Sequence, residues 1–231
     1  MVTRRLSTSA INALAAHGWC SFRDAELASN ILLVGYELGT PVCHPGQPIV
    51  TVLSPHEKES ARPNSTSAMY GRDAFPLHTD MAHWPLPPRY MVLRARVPAS
   101  DFPTVLIDSH KIELSPLIRE QCHRASWKVV GVKKSFLCSM FFSHNGISGF
   151  RWDVCTMVPY GPLAKSVTPT MKEALERLLK KEPISMNWES HDDLLIIDNW
   201  RMVHMRPAIN ESAQHRTLER VLIQEASGEH P

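Results

Sequence analysis

No run in the sequence approaches the roughly 20 apolar residues that a membrane-spanning helix requires, and the opening MVTRRLSTSA has no apolar stretch of the kind a secretory leader carries. Both absences predict a soluble, cytoplasmic protein without a membrane partner. An excess of charge is also lacking: 25 Lys+Arg against 23 Asp+Glu leave a net charge of +2. So small a balance disfavours the broad basic surface on which nucleic-acid binding rests, and a small-molecule substrate is expected instead. Cysteine is scarce, odd in number and scattered over Cys20, Cys43, Cys122, Cys138 and Cys155 without a CxxC pair. That pattern signals neither a disulfide framework nor a structural zinc site. There is no internal repeat or low-complexity tract, and no signal of oligomeric state. The 231 residues suit one domain with one well-buried core, expected to span 1–231.

What is present reads as short, mostly β-forming runs. Residues 7–17 place Ile11, Leu14 and Ala15 at helical spacing before Gly18, and 24–34 place Leu27, Ala28, Ile31 and Leu32 on one face before Gly35. Two helices are predicted there, followed by a strand over 49–53. The stretch 55–73, rich in Pro, Asn, Ser and charge, is predicted to be a mobile active-site loop. Strands are then expected at 90–96, 104–107, 127–132, 137–142, 149–154, 194–197 and 217–224. Two helices interrupt them, one opened by Ser115-Pro116 and one by Thr168-Pro169, the second with Met171, Ala174, Leu175, Leu178 and Leu179 as its apolar stripe. The pattern predicts a mainly β (α+β) fold: a double-stranded β-helix, or jelly roll, with flanking helices.

The segment FPLHTDMAHW sets His78 and Asp80 two residues apart at a predicted strand end. Their side chains then leave one face about 7 Å apart along the backbone, within reach of one metal ion. An HxD tripeptide alone is weak evidence and needs a distant partner. DDLLIIDNWRMVHMRPAI supplies one, where a buried run leads through Asp198 and Asn199 to His204. Two histidines and one carboxylate form the facial triad that leaves adjacent positions open for a keto-acid and dioxygen. Catalytic zinc uses similar donors, but the HExxH helix typical of its hydrolases is absent. A keto-acid's far carboxylate calls for a cation with a planar fork. Arg216 follows His204 by twelve residues, with Arg220 four further on, on the same strand face.

Together, HTD followed by PLPPRY, the run LLIIDNWRMVHMRPA, RTLER and the early LVGYELGTPV resemble the taurine dioxygenase/clavaminate synthase-like group of Fe(II)/2-oxoglutarate oxygenases. The resemblance covers most of the chain. It implies an enzyme that uses Fe(II), 2-oxoglutarate and O2, with His78, Asp80 and His204 as iron ligands. It further implies that Arg216 binds the carboxylate of 2-oxoglutarate distal to iron. Thr104, 24 residues after Asp80, takes the place of a threonine that bonds the same carboxylate, although Asp101-Phe102-Pro103 stand where the group usually has glycines. Arg220 is then either a partner of a substrate or co-substrate acid or a strand charge paired with Glu219 or Asp193. Arg151 and Asp153, in GFRWDVCTMVPY, are either substrate-side residues or a structural ion pair, and Trp84 either walls the pocket or packs elsewhere. His83, His110, His123, His144, His191 and His215 have no spacing that demands a role. The implied outcome is hydroxylation of an unactivated C–H bond of a small polar metabolite, in amino-acid or natural-product metabolism, with release of succinate and CO2. Asp80 argues against halogenation, since halogenating members carry a small apolar residue at that position. Desaturation, cyclisation or epimerisation by the same chemistry stays open, as does a non-catalytic metal-binding jelly roll.

Overall fold

The computed structural model describes residues 5–60, 66–131, 134–210 and 213–225. Two antiparallel sheets dominate it. The first runs β1 (Trp19–Arg23), β13 (Asp193–Asp198), β5 (Tyr90–Val97), β15 (Thr217–Gln224) and β2 (Thr40–Val42), with β3 (Thr51–Leu53) also pairing with β15. The second runs β12 (Ile184–Trp188), β6 (Ala99–Asp108), β14 (Met202–Arg206) and β4 (Phe75–His78). Smaller sheets pair β9 (Phe141–His144) with β10 (Ile147–Phe150), and β7 (Ser126–Val129) with β8 (Leu137–Cys138) and β11 (Met157–Tyr160).

Side-chain alternation along the strands builds three apolar layers. Leu93, Leu195, Ile197, Leu218 and Leu222 of the first sheet meet Leu106, Trp188 and Met202 of the second, which makes a jelly-roll interior. On the far side of the first sheet, Val92, Leu194, Ile196 and Val221 pack under α1 (Thr8–His17), α2 (Ala25–Ser29) and α3 (Ile31–Leu38). On the far side of the second, Ile107 and Val203 pack under α5 (Pro116–Arg124) and α6 (Gly161–Lys181). No helix among the described residues is long and apolar enough to cross a membrane.

Several elements differ from what periodicity predicts. The helix expected over 24–34 is two helices, because the Asn30 side chain accepts from the N–H of Leu32 and restarts the chain as a cap. The second of them runs through Gly35 to Leu38, and a Cβ on Gly35 would sit 3.3 Å from both Pro41 and Val221. Glycine's low helix propensity is outweighed there by the close approach of helix to sheet. The helix expected to open at Thr168-Pro169 begins at Gly161, with Pro162 in its first turn and Pro169 inside it. Thr168 Oγ1 donates to Ala164 O and accepts from Trp127 Nε1, tying that irregular turn to β7. The strand expected over 137–142 breaks into two, that over 149–154 ends at Phe150, and that over 104–107 extends to 99–108 through Pro103. The run expected over 127–132 ends at Val129, and its last position lies outside the described residues.

The 55–73 stretch is not uniformly loop. It holds a 3-10 turn at Lys58–Ser60 and a short helix, α4, at Thr66–Tyr70, while 61–65 lie outside the described residues. Lys58 pairs with Asp73 at 2.6 Å and Arg72 with Glu57 at 2.7 Å.

Where β6 ends, Asp108 accepts from Arg201 Nε at 3.1 Å and Nη2 at 2.7 Å, and Arg201 also donates to Ala16 O. Gly18 makes room for this arginine: its φ is +77°, and a Cβ there would fall 2.7 Å from Arg201 Cδ. Burial by itself would raise the Asp108 carboxyl pKa, but the Arg201 hydrogen bonds and the His110 N–H hold it below the ordinary range. The pair therefore stabilises the fold fully above the ordinary carboxylate range, and the contribution is lost as pH falls through the depressed folded value. Asp108→Asn should cost about 2–3 kcal/mol in urea denaturation at pH 7. The difference from wild type should shrink in acid.

Candidate active site

His78 closes β4, and the antiparallel register sets it opposite His204 in the middle of β14. Met202 and Leu106 on the same faces belong to the interior, so both imidazoles point between the sheets, with ring centroids 4.3 Å apart. His78 Nδ1 lies 2.9 Å from Pro76 O, which can only accept, so Nδ1 carries a proton and Nε2 is the ring nitrogen turned towards the site. That nitrogen is 3.8 Å, and His204 Nε2 4.0 Å, from the same oxygen, Asp80 Oδ1. One ligand atom from each of the three side chains lies within 4.8 Å of the others.

The electrostatics suit a cation at this point. Burial would raise the Asp80 pKa, but the charge of Arg220, with the two imidazoles, draws it down to about 2. Burial, aided by His78, draws His204 down to about 3, so its imidazole is neutral. His204 Nδ1 is buried without a hydrogen-bond partner. One carboxylate and two imidazole nitrogens converging on one point fit a divalent first-row metal, and the 2-His-1-carboxylate set fits non-haem iron.

A network holds Asp80 in place. Its N–H donates to Asn199 Oδ1 at 2.7 Å, and Asn199 Nδ2 donates back to Asp80 O and to Pro88 O, each at 2.9 Å. Just after Asp80 the chain turns through Met81 at φ 55°. The proline-rich loop that follows has few ladder bonds of its own, and distant donors serve its carbonyls. Trp200 Nε1 donates to Pro87 O, and the N–H of Asn199 to Arg89 O. Arg151 donates to Ala82 O, Trp84 O and Pro85 O and lies over the Phe142 ring.

Arg151 thus serves backbone carbonyls and is not paired with Asp153. Asp153 instead accepts from the Cys155 N–H and the Thr156 hydroxyl, which makes it a turn residue. Asn199, buried completely, is the residue that motif reading passed over. Its only signal is a polar pair, Asp198-Asn199, ending an otherwise apolar strand. Asn199→Leu should leave one N–H and two carbonyls buried without partners, at about 2–4 kcal/mol of stability. It should also weaken divalent metal binding about 10–100-fold, measured calorimetrically with Mn(II).

On the other side of the interior, Arg216 stands just before β15. Its Nη1 donates to Phe102 O at 3.3 Å, and its guanidinium lies 4.7 Å from the centroid of the Phe102 ring. The Asp-Phe-Pro stretch, which is part of β6, therefore seats this arginine. Among the described residues Arg216 has no carboxylate partner. Burial, joined by repulsion from Arg206, lowers it to about 10, and burial does the same to Arg206. Arg206 donates to Gly71 O and Asp73 O. Arg206 is half-buried and feels the Asp73 charge, whereas Arg216 is buried with no carboxylate beside it among the described residues, and such a cation marks a site for an anion. Thr104 is buried on the interior face of β6, where its oxygen accepts from Trp188 Nε1 at 3.1 Å and leaves its own O–H to donate. Arg220 also points inward and donates to Asp80 Oδ2 at 2.9 Å.

Trp84 faces His44 at 6.5 Å between rings, and His44 faces His83 at 5.9 Å. His83 is close enough to feel the Asp80 and Asp153 charges, although burial and His44 lower its pKa. His191 bonds Arg96 O, His123 stacks on Phe141 and His144 meets Trp200 edge-on, and none of the three belongs to the His78–Asp80–His204 cluster.

No family model matches the sequence, and no curated protein matches it. Solved structures do. A complex of the non-haem iron oxygenase OrfP with Fe and α-ketoglutaric acid is 17% identical, with a TM-score of 0.71 over 93% of this chain and 77% of that one. The chain has the fold of the non-haem iron oxygenases. Asparagine oxygenase, AsnO, is similar at a TM-score of 0.73 and 13% identity, over 94% of this chain and 77% of that one. An OrfP mutant complexed with (3S)-hydroxy-L-Arg gives 0.71 at 18% identity, over 93% and 77%. In this oxygenase fold the long excursions between strands are the flanking helices and the loops tied down by Asn199, Trp200 and Arg151.

Proposed function

We propose that the chain, acting as one domain, is an Fe(II)- and 2-oxoglutarate-dependent dioxygenase that hydroxylates an unactivated C–H bond of a small polar metabolite, of the amino-acid class. The observation that carries this reading is the convergence of His78 Nε2, His204 Nε2 and Asp80 Oδ1 in the same interior as Arg216, a buried arginine with no carboxylate partner among the described residues. The similarity to structures complexed with α-ketoglutaric acid and with hydroxy-L-Arg supports the co-substrate and the substrate class.

His78, Asp80 and His204 would hold the metal from one side, leaving its other positions open. With 2-oxoglutarate and dioxygen, bound ferrous iron supplies an oxidant able to attack a C–H bond, with release of succinate and CO2. Arg216 would bind the distal carboxylate of 2-oxoglutarate, since a guanidinium in a dry site forms charge-assisted bonds that a lysine cannot make in a fork. Thr104 would add its free O–H to the same carboxylate. The surrounding apolar layer, Leu93, Leu106 and Leu218 among it, would keep bulk water from the reacting carbon.

The test is a panel of L-amino acids and their simple derivatives incubated with iron-loaded protein and 2-oxoglutarate, reading succinate and product mass. A substrate-dependent succinate signal with a gain of one oxygen supports the reading. A loss of two hydrogens would instead assign desaturation or cyclisation. Absence of succinate throughout, with no visible absorption band on anaerobic mixing of Fe(II) and 2-oxoglutarate, would leave a metal-binding jelly roll without catalysis.

A further inference from the structure

Arg220 lies in β15 between Leu218 and Leu222, both in the layer between the sheets, so strand alternation directs it inward, towards the second sheet. Neither strand-charge partner that the sequence offers is used. Glu219, on the opposite face, pairs with Arg94 at 3.0 Å and Arg96 at 3.9 Å, and Asp193 pairs with Arg23 at 2.8 Å. The guanidinium reaches across the interior to Asp80 instead, and both side chains are nearly enclosed, 12% and 11% exposed.

The two carboxylate oxygens of Asp80 have different neighbours. Oδ2 accepts from Arg220 Nη1 at 2.9 Å, whereas Oδ1 faces the two imidazole nitrogens. A carboxylate free to turn about its last torsion can bind a metal through one oxygen or through both, and the second mode occupies a position the co-substrates need. A charge-assisted bond to one oxygen removes that freedom.

We propose that Arg220 is a positioning residue for the metal: it ties Asp80 Oδ2 so that Oδ1 alone is offered as a ligand, keeping the carboxylate monodentate. The inference rests on the metal-site reading above. It gives Arg220 a task that does not require an acidic substrate. The guanidinium spends one donor on Asp80, and Nε is buried without a partner, so the contact to Asp80 is what orients it.

Co(II) alone is a suitable probe, because the intensity of its visible d–d absorption reports coordination number and needs no turnover. Arg220→Met keeps the apolar stem but has neither donor nor charge. It should change the Co(II) spectrum and weaken Co(II) binding about 10-fold or more, the usual size of an outer-shell effect. Arg220→Gln, uncharged and too short to reach Oδ2, should behave in the same way and serves if the Met variant does not fold. Arg220→Lys should restore the wild-type spectrum and bind Co(II) more tightly than the Met variant, although its charge repels the cation. A wild-type spectrum with undiminished Co(II) affinity in the Met or Gln variant would overturn the proposal. Failure of the wild-type protein to bind Co(II) would overturn the metal-site reading itself.

Discussion

Asp80→Ala should abolish substrate-dependent succinate release, a loss of more than about 10³-fold, and His78→Ala should do the same. The reason is geometric as much as chemical. Asp80 Oδ1 is the atom on which both imidazole nitrogens converge, and it is the only anionic donor of the three. Removing it leaves two imidazoles and the buried Arg220 cation with no anion beside them, an arrangement that repels a divalent ion. The alanine variant also strands Arg220 in the interior, so its melting temperature must be read beside its activity. Asp80→Asn keeps the volume and a hydrogen bond to Arg220 while losing the charge. If the aspartate acts as a metal ligand, the asparagine variant stays folded and loses turnover nonetheless. Normal turnover in either alanine variant would end the assignment.

Arg216→Met should raise the KM for 2-oxoglutarate by about 10²-fold or more while changing kcat much less, because the contact is made equally in ground and transition states. The same substitution carries an opposite expectation for stability. Without co-substrate, Arg216 is a buried cation bonded to one carbonyl and repelled by Arg206. Replacing an uncompensated buried charge with an apolar side chain of similar length should leave the unliganded protein as stable, or raise its stability by about 1–2 kcal/mol. Thermal melts decide both halves at once. Wild type should gain stability on addition of 2-oxoglutarate by mass action, and Arg216→Met should start higher and gain nothing. A variant that is less stable without ligand and still stabilised by it would show that Arg216 serves the fold and not an anion.

Strong patterns in the sequence survive in the structure where local chemistry and burial agree. The apolar runs of β5, β13 and β15 are strands because both of their faces are covered, by helices on one side and the second sheet on the other. Ser115 and Pro116 open α5 as a cap and first-turn proline should. The strands that carry the histidines have a weaker local signal. β4 is Phe-Pro-Leu-His and β14 is Met-Val-His-Met-Arg, too short and too mixed for a clear period-two signal. Their strand character comes from pairing with each other and with β6.

By itself the sequence supplied the residue types that the proposed site uses, two imidazoles, a carboxylate and several arginines close to apolar strand ends. It also determined the class of the core, through the alternation of β-forming runs. The tertiary structure alone decided the task of each arginine. Arg151 serves loop carbonyls, Arg216 bonds the Phe102 carbonyl with no carboxylate partner among the described residues, and Arg220 reaches Asp80 from 140 residues away in the chain. A guanidinium bonds to whatever acceptor packing brings within about 3 Å of it. That distance is set by how two sheets face each other, which no local pattern encodes.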